Sequence, residues 1–178
     1  NGIGKAISCR LAADGFDIIA VGRDKEGRKE AVVNHLIECS SNKSSNDDNA
    51  AASHQKKKCH HEFRPCDAFS LSQVKECAEG IVRDYSTNGG IDALVMTQGM
   101  ATIQGFTPTS EGNDEKLTLH LWSRAAFATL LLPALRASSS MPGGAVVMTV
   151  LSGGVHSPYT KYAEDPEINN NYSIKNAA

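Results

Sequence analysis

Residues 169–178 read NNNYSIKNAA and set Tyr172 three residues before Lys175. On a helix, residues three apart share a face. An ammonium group beside a phenol favours the phenolate, which brings a pKa of about 10 down and suits the phenol to proton donation. A second candidate lies at the start of the chain, where Gly2 and Gly4 in NGIG open a helical pattern. Backbone N–H groups and the helix dipole receive phosphate at such a turn. A third group, Cys59, His60 and His61 with Cys66, holds metal-ligand residue types within eight positions. A strand would point these neighbours to opposite faces, so the lysine run before them reads as a solvated loop end and no metal is expected.

The chain has 178 residues, 40% hydrophobic and 21% charged, enough for one globular domain with a sizeable core. A net charge of -2 gives no reason to expect nucleic acid as partner. No apolar run is long enough to span a membrane. Five cysteines without paired spacing point to a reducing, cytoplasmic compartment.

The elements alternate. GKAISCRLAADG is helical, with Gly15 as its C-terminal stop, and FDIIAVGR is a short apolar run suited to a strand buried on both faces. KEGRKEAVVNHLIEC is helical again. Residues from about 40 to 58 are polar and repetitive, which predicts a disordered surface insertion. HEFRPCD is a weak strand, and SLSQVKECAEGIVRDY a helix capped by Ser70 or Ser72. IDALVMTQG and GAVVMTVLSGG are buried strands flanking one long helix, residues 111–138, with an acidic first turn. A loop leads to a closing helix at Tyr172. This order predicts an α/β protein with a doubly wound parallel sheet covered on both faces. The chain starts on the glycine pair and stops inside a helical pattern, so it reads as a piece of a single domain, residues 1–178, incomplete at both ends.

From Gly2 to Ala178, the insertion apart, the sequence resembles the short-chain dehydrogenases/reductases, Rossmann-type enzymes that move hydride between NAD(P) and a carbonyl or alcohol. NGIG is similar to the second half of their T-G-x-x-x-G-x-G, with Gly2, Ile3 and Gly4 at the pyrophosphate; their first strand would lie upstream. Asp67 resembles the acidic residue that bonds the adenine, MTQG ending in Gly99 occupies the N-N-A-G position, and Leu131-Leu132-Pro133 matches the family's L-P. Members that use NAD carry a carboxylate at the end of the second strand. Here that place is Gly22 and the next residue is Arg23, whose guanidinium suits a 2′-phosphate, so NADP(H) is expected over NAD(H).

The resemblance implies an active site of Asn, Ser, Tyr and Lys, and the sequence departs from it at several places. Counting back from Leu132-Pro133 puts the asparagine position on His120. The serine position falls on Leu151, with Ser152 one residue later. Lys175 aligns with the family lysine, which also holds the nicotinamide ribose, and the tyrosine position then falls on Asn171 rather than Tyr172. Spacing of three instead of four swings the phenol by roughly 100° around the helix. Two readings stay open. One is a divergent carbonyl reductase or alcohol dehydrogenase with Tyr172 as proton donor, Lys175 as its support, Ser152 at the substrate oxygen and His120 in the relay. The other is a catalytically inactive module that binds nucleotide or a partner protein. The resemblance also implies subunit contact through the long helix around Trp122, and a small-molecule substrate.

Overall fold

The computed structural model describes residues 2–41, 59–102, 104–138, 143–151, 159–166, 168, 170, 171 and 173. The chain falls into two compact units, Asn1–Cys66 and Asp67–Ala178.

The first unit runs α1 (Ile3–Ala13), β1 (Ile18–Gly22), α2 (Arg28–Ser41) and β2 (His61–Pro65). Helix α1 ends where the sequence predicts. The Gly15 N–H bonds Ala12 O and the Phe16 N–H bonds Leu11 O, the paired closure that satisfies orphan carbonyls at a helix end. Strands β1 and β2 pair in parallel, Ile18 opposite His61 through Gly22 opposite Pro65. Proline at the end of β2 costs the ladder little, because it sits on the last rung. The core of this unit is Ala12, Leu36 and Cys39, with Cys9, Ile18, Ala20 and Val32 packed on it.

Cys9 and Cys39 form a disulfide across this core. That corrects the expectation of unpaired thiols. The two cysteines stand 30 residues apart in sequence, and packing of α1 on α2 brings their Cα atoms to 5.3 Å.

The second unit runs α3 (Leu71–Tyr85), β3 (Ala93–Met96), then one interrupted helical rod, then β4 (Val146–Thr149). Ser70 caps α3, its hydroxyl accepting from the Gln73 N–H. The rod begins at α4 (Glu115–Leu117), not at residue 111, because the Asp114 side chain caps it by accepting from the Lys116 and Leu117 N–H groups. A π-turn follows at Thr118–Trp122, closed by the Ser123 N–H on Thr118 O five residues back. The α-helix resumes as α5 (Ser123–Leu130) and, after Leu131, as α6 (Leu132–Arg136). Pro133 lacks the N–H that would bond four residues back, which accounts for the break at Leu131. Phe127 and Leu131 are buried and Trp122 is half-buried. Helix α3 packs its Val74, Ala78 and Ile81 side toward α5 and α6.

Strands β3 and β4 pair in parallel, Ala93 opposite Val146 through Met96 opposite Thr149. Gly90 sets the approach to β3. Its φ is +75°, and a Cβ there would lie 2.5 Å from Ala134 O and Ala137 C, and closer still to Ser138 N. Only glycine fits both the conformation and the space.

Two strands differ from the expectation of burial on both faces. All four residues of β4 are exposed, Val147 at 48%, and Val21 in β1 is 42% exposed. Among the described residues each strand pairs with one other strand only. Doubly wound sheets run 3-2-1-4-5-6. The β1–β2 pair has the pairing of strands two and three of that order, and β3–β4 that of strands four and five. The chain is thus α/β with the parallel pairings of a Rossmann-type fold. No described helix is long and apolar enough to cross a membrane.

Candidate functional site

In the first unit the glycine turn opens α1, and Arg23 follows the end of β1. Gly2 caps α1 with φ 78° and ψ −159°, a region essentially confined to glycine. Nothing lies within 4 Å of where a Cβ on Gly2 would be. No side chain caps the first N–H groups of α1 and no acidic residue in its first turn lies beside Ile3 and Gly4. This end of the helix fits a pyrophosphate. Gly22 ends β1 and Arg23 follows it at the surface. A Cβ on Gly22 would touch the Phe63 ring at 3.7 Å, an ordinary contact.

In the second unit the loop after β3 is gripped by three residues of the rod. His120, Ser123 and Arg124 lie on one face of the rod, and all three reach the segment Met96–Met100. His120 Nε2 is 3.1 Å from Met100 N and 3.0 Å from Met100 O, so it accepts from the one or donates to the other according to tautomer. Ser123 Oγ accepts from Gln98 Nε2 at 3.4 Å and donates to Leu119 O. A Cβ on Gly99 would sit 3.1 Å from His120 Cε1, so the bare backbone at residue 99 is what lets the imidazole in. Two residues named from the sequence, Gly99 and His120, are therefore in contact.

Arg124, to which the sequence alone assigns no role, is held in the same place. It is 7% exposed, and its guanidinium donates to Met96 O at 3.2 Å, to Val150 O at 3.0 Å, to Gln98 O and to Thr149 Oγ1. It ties the carboxyl ends of β3 and β4 together. Burial works against its charge and lowers its pKa below the usual arginine range. Its Nε is buried without a hydrogen-bond partner among the described residues.

Asp67 follows β2. Its Oδ1 accepts from the Phe69 N–H at 3.1 Å and its own N–H donates to Gln73 Oε1 at 3.0 Å. Leu151, at the serine position, is 60% exposed, and Ser152 lies outside the described residues. Tyr172 and Lys175 also lie outside them, as do the closing helix beyond Ser173 and the insertion at 42–58. Asn171, at the tyrosine position, is described. Its Nδ2 and N–H both donate to Asp165 Oδ2, at 2.9 and 3.0 Å, and its Oδ1 accepts from Lys161 Nζ at 2.8 Å. Asp165 is buried and also receives the Tyr159 hydroxyl at 3.0 Å. Desolvation and the Asp165 carboxylate raise the Tyr159 pKa, the opposite of what a proton donor near neutrality needs.

Around Cys59, His60, His61 and Cys66 no ligand cluster forms among the described residues. A close group lies elsewhere, at Cys9, His35 and Cys39.

No protein-family model matches the chain. Polyprenol dehydrogenase of Mus musculus is 26% identical over 178 residues, which is 92% of this chain and 47% of that protein. Among solved structures, a metagenomic short-chain oxidoreductase in complex with NADP aligns with TM-score 0.62 at 19% identity, over 89% of this chain and 61% of the other. An NADH-dependent reductase complexed with NAD aligns with TM-score 0.59 at 18% identity, over 84% and 54%. The chain spans about half the length of the curated relative it matches. The chain thus shares its fold with short-chain dehydrogenases/reductases of known structure and is similar in sequence to polyprenol dehydrogenase.

Proposed function

We propose that the protein is a nicotinamide-nucleotide-dependent oxidoreductase, that it prefers NADP(H) to NAD(H), and that it acts on a carbonyl/alcohol pair by hydride transfer. The observation that carries this reading is the uncapped, glycine-opened start of α1 together with the Gly22-Arg23 end of β1. Residues 1–178 are read as part of one NAD(P)-binding domain, with a surface insertion near 40–58 and a cytoplasmic location. In this reading Gly2, Ile3 and Gly4 hold the pyrophosphate and Arg23 the 2′-phosphate. Asp67 bonds the adenine, Gly99 gives backbone room, and Lys175 holds the ribose hydroxyls. Bound NADP(H) supplies or takes up the hydride. The chain's own part is proton handling: Tyr172 donates to the carbonyl oxygen, Lys175 lowers the phenol pKa, Ser152 positions that oxygen and His120 stands in the relay. The substrate is a small carbonyl or alcohol compound. Subunit contact would use the rod around Trp122, where Leu121 is 47% exposed.

The inactive-module reading has support of its own. His120 Nε2 engages the Met100 backbone, Leu151 replaces the serine, and Asn171 is bonded to Asp165 and Lys161. Nucleotide titration followed by fluorescence separates the possibilities. Expected is NADPH binding that weakens about tenfold or more in Arg23→Ala, the loss of one charge-assisted contact. Gly22→Asp should weaken NADPH further and leave NADH unharmed, because its carboxylate repels the 2′-phosphate and accepts from a 2′-hydroxyl. Binding of neither nucleotide by folded protein would reject the oxidoreductase. Binding without turnover on any carbonyl compound, unchanged in Tyr172→Phe, would select the inactive module.

A further inference from the structure

The disulfide sits beside a histidine, His35, whose ring nitrogen lies within metal-ligand reach of both sulfurs. Cys9 is on α1; Cys39 and His35 are on α2, one turn apart and on the same face. His35 Nε2 lies 3.6 Å from Cys39 Sγ. One ring nitrogen and both sulfurs lie within 4.8 Å of one another. The other ring nitrogen, Nδ1, faces Glu38 Oε2 at 3.9 Å. That is ion-pair distance, and closing it to a hydrogen bond would fix the ring's tautomer for metal ligation. Ala12 and Leu36 are buried beside the group, with Ile18, Ala20 and Val32 packed on them, so one side is apolar; Cys9 and His35 are only half-buried, which leaves an entry path. Two thiolates and one imidazole are ligands that suit zinc, with water in the fourth tetrahedral position.

We propose that Cys9 and Cys39 are a reversible thiol–disulfide couple whose reduced form binds one Zn²⁺ through Cys9 Sγ, Cys39 Sγ and His35 Nε2. Disulfide and metal are alternative occupants, because both require the sulfur valence. In the reductive step a dithiol attacks, the Cys9–Cys39 bond breaks, and the two electrons come from the dithiol, which leaves as its own disulfide. Its two protons pass to the cysteine sulfurs. Zinc then displaces those two protons, so binding weakens as pH falls. An oxidant that removes two electrons from the thiolates re-forms the disulfide and releases the ion. Cys59, Cys66 and Cys77 stay outside this cycle.

The test uses the full chain, reduced with a phosphine, stripped with a chelator and titrated with Co²⁺ and then Zn²⁺ without oxygen. Expected is one equivalent of Co²⁺ with intense tetrahedral ligand-field bands and a thiolate charge-transfer band, displaced by one equivalent of Zn²⁺. Diamide should expel the ion from wild-type protein, and fresh reductant should restore binding. His35→Ala should weaken binding by at least the tenfold to hundredfold that outer-shell losses cost, and Glu38→Gln by about tenfold. The proposal is overturned if reduced wild type binds Co²⁺ no tighter than Cys9→Ser/Cys39→Ser. It is equally overturned if the spectrum is the weak one of an octahedral ion, or if diamide leaves binding unchanged. The redox cycle on wild-type protein decides the matter even where a variant fails to fold.

Discussion

The N-terminus of α3 is closed from outside its own sequence, and Glu111→Gln should expose the cost. One oxygen of Glu111 accepts from Ser70 Oγ at 2.8 Å, Ser72 N at 3.0 Å and Ser72 Oγ at 2.7 Å; the other accepts from Leu71 N at 2.8 Å. These bonds, with the Ser72 N–H the largest contributor, lower its pKa from 4.5 to about 2. Glu111 is at the surface, where solvent screens the charge, and measured helix caps are worth about 1 kcal/mol. We expect Glu111→Gln to lose about 1 to 1.5 kcal/mol at neutral pH. In urea this is a midpoint shift of about 0.6 M at an m-value near 2 kcal/mol per M. The pH dependence follows from the sign. A carboxyl with a depressed folded-state pKa contributes its stability above its unfolded value, and loses it as pH falls through the folded one. The gap between wild type and variant should therefore hold above pH 4.5, narrow below it and close near pH 2. Urea midpoints of both proteins across that range are the assay. Equal midpoints at neutral pH, or a gap independent of pH, would refute the account of Glu111 as a charged cap.

Other substitutions follow from contacts already given. Gly90→Ala drives a methyl group into the end of α6 at a positive φ, and should cost about 3 kcal/mol or more in urea unfolding. Arg124→Met keeps apolar bulk but strips four acceptors at the ends of β3 and β4, with an expected loss of about 3 kcal/mol by the same measurement. Asp165→Ala releases the Asn170 and Asn171 N–H groups, which should exchange with deuterium at the rate of open loops while α3 keeps its protection.

What the sequence made legible was local. Helix α1 with its Gly15 ending, the Ser70 cap and the alternation of strands with helices all rest on neighbours within about one turn, where periodicity and turn chemistry act. Glu111 lies 41 residues from Ser70, and the Cys9–Cys39 pair spans 30; no spacing rule reaches that far. The four acceptors of Arg124 lie at the ends of β3 and β4 and in the residues just after them, 25 to 28 positions away in sequence. The burial of β4 was misjudged for a related reason. An apolar run shows that a strand is fit for cover on both faces, and cover depends on partners that composition does not name. At the candidate site, the glycines and Arg23 could be named from strand ends alone, whereas the grip of His120 on residues 99 and 100 needed the rod's true path.

That path has a bearing on how relatives should be matched. A π-turn holds one residue more than an α-turn, so the rod on either side of Thr118–Trp122 keeps two different numberings. Counting back from Pro133 through it arrives one position out of phase, about 100° around the axis. A homologue lacking one residue in this stretch would keep an unbroken helix and present a neighbour of His120 to the loop after β3. Length differences of a single residue here are therefore changes of which side chain faces the candidate site, and an ungapped alignment would record them as substitutions.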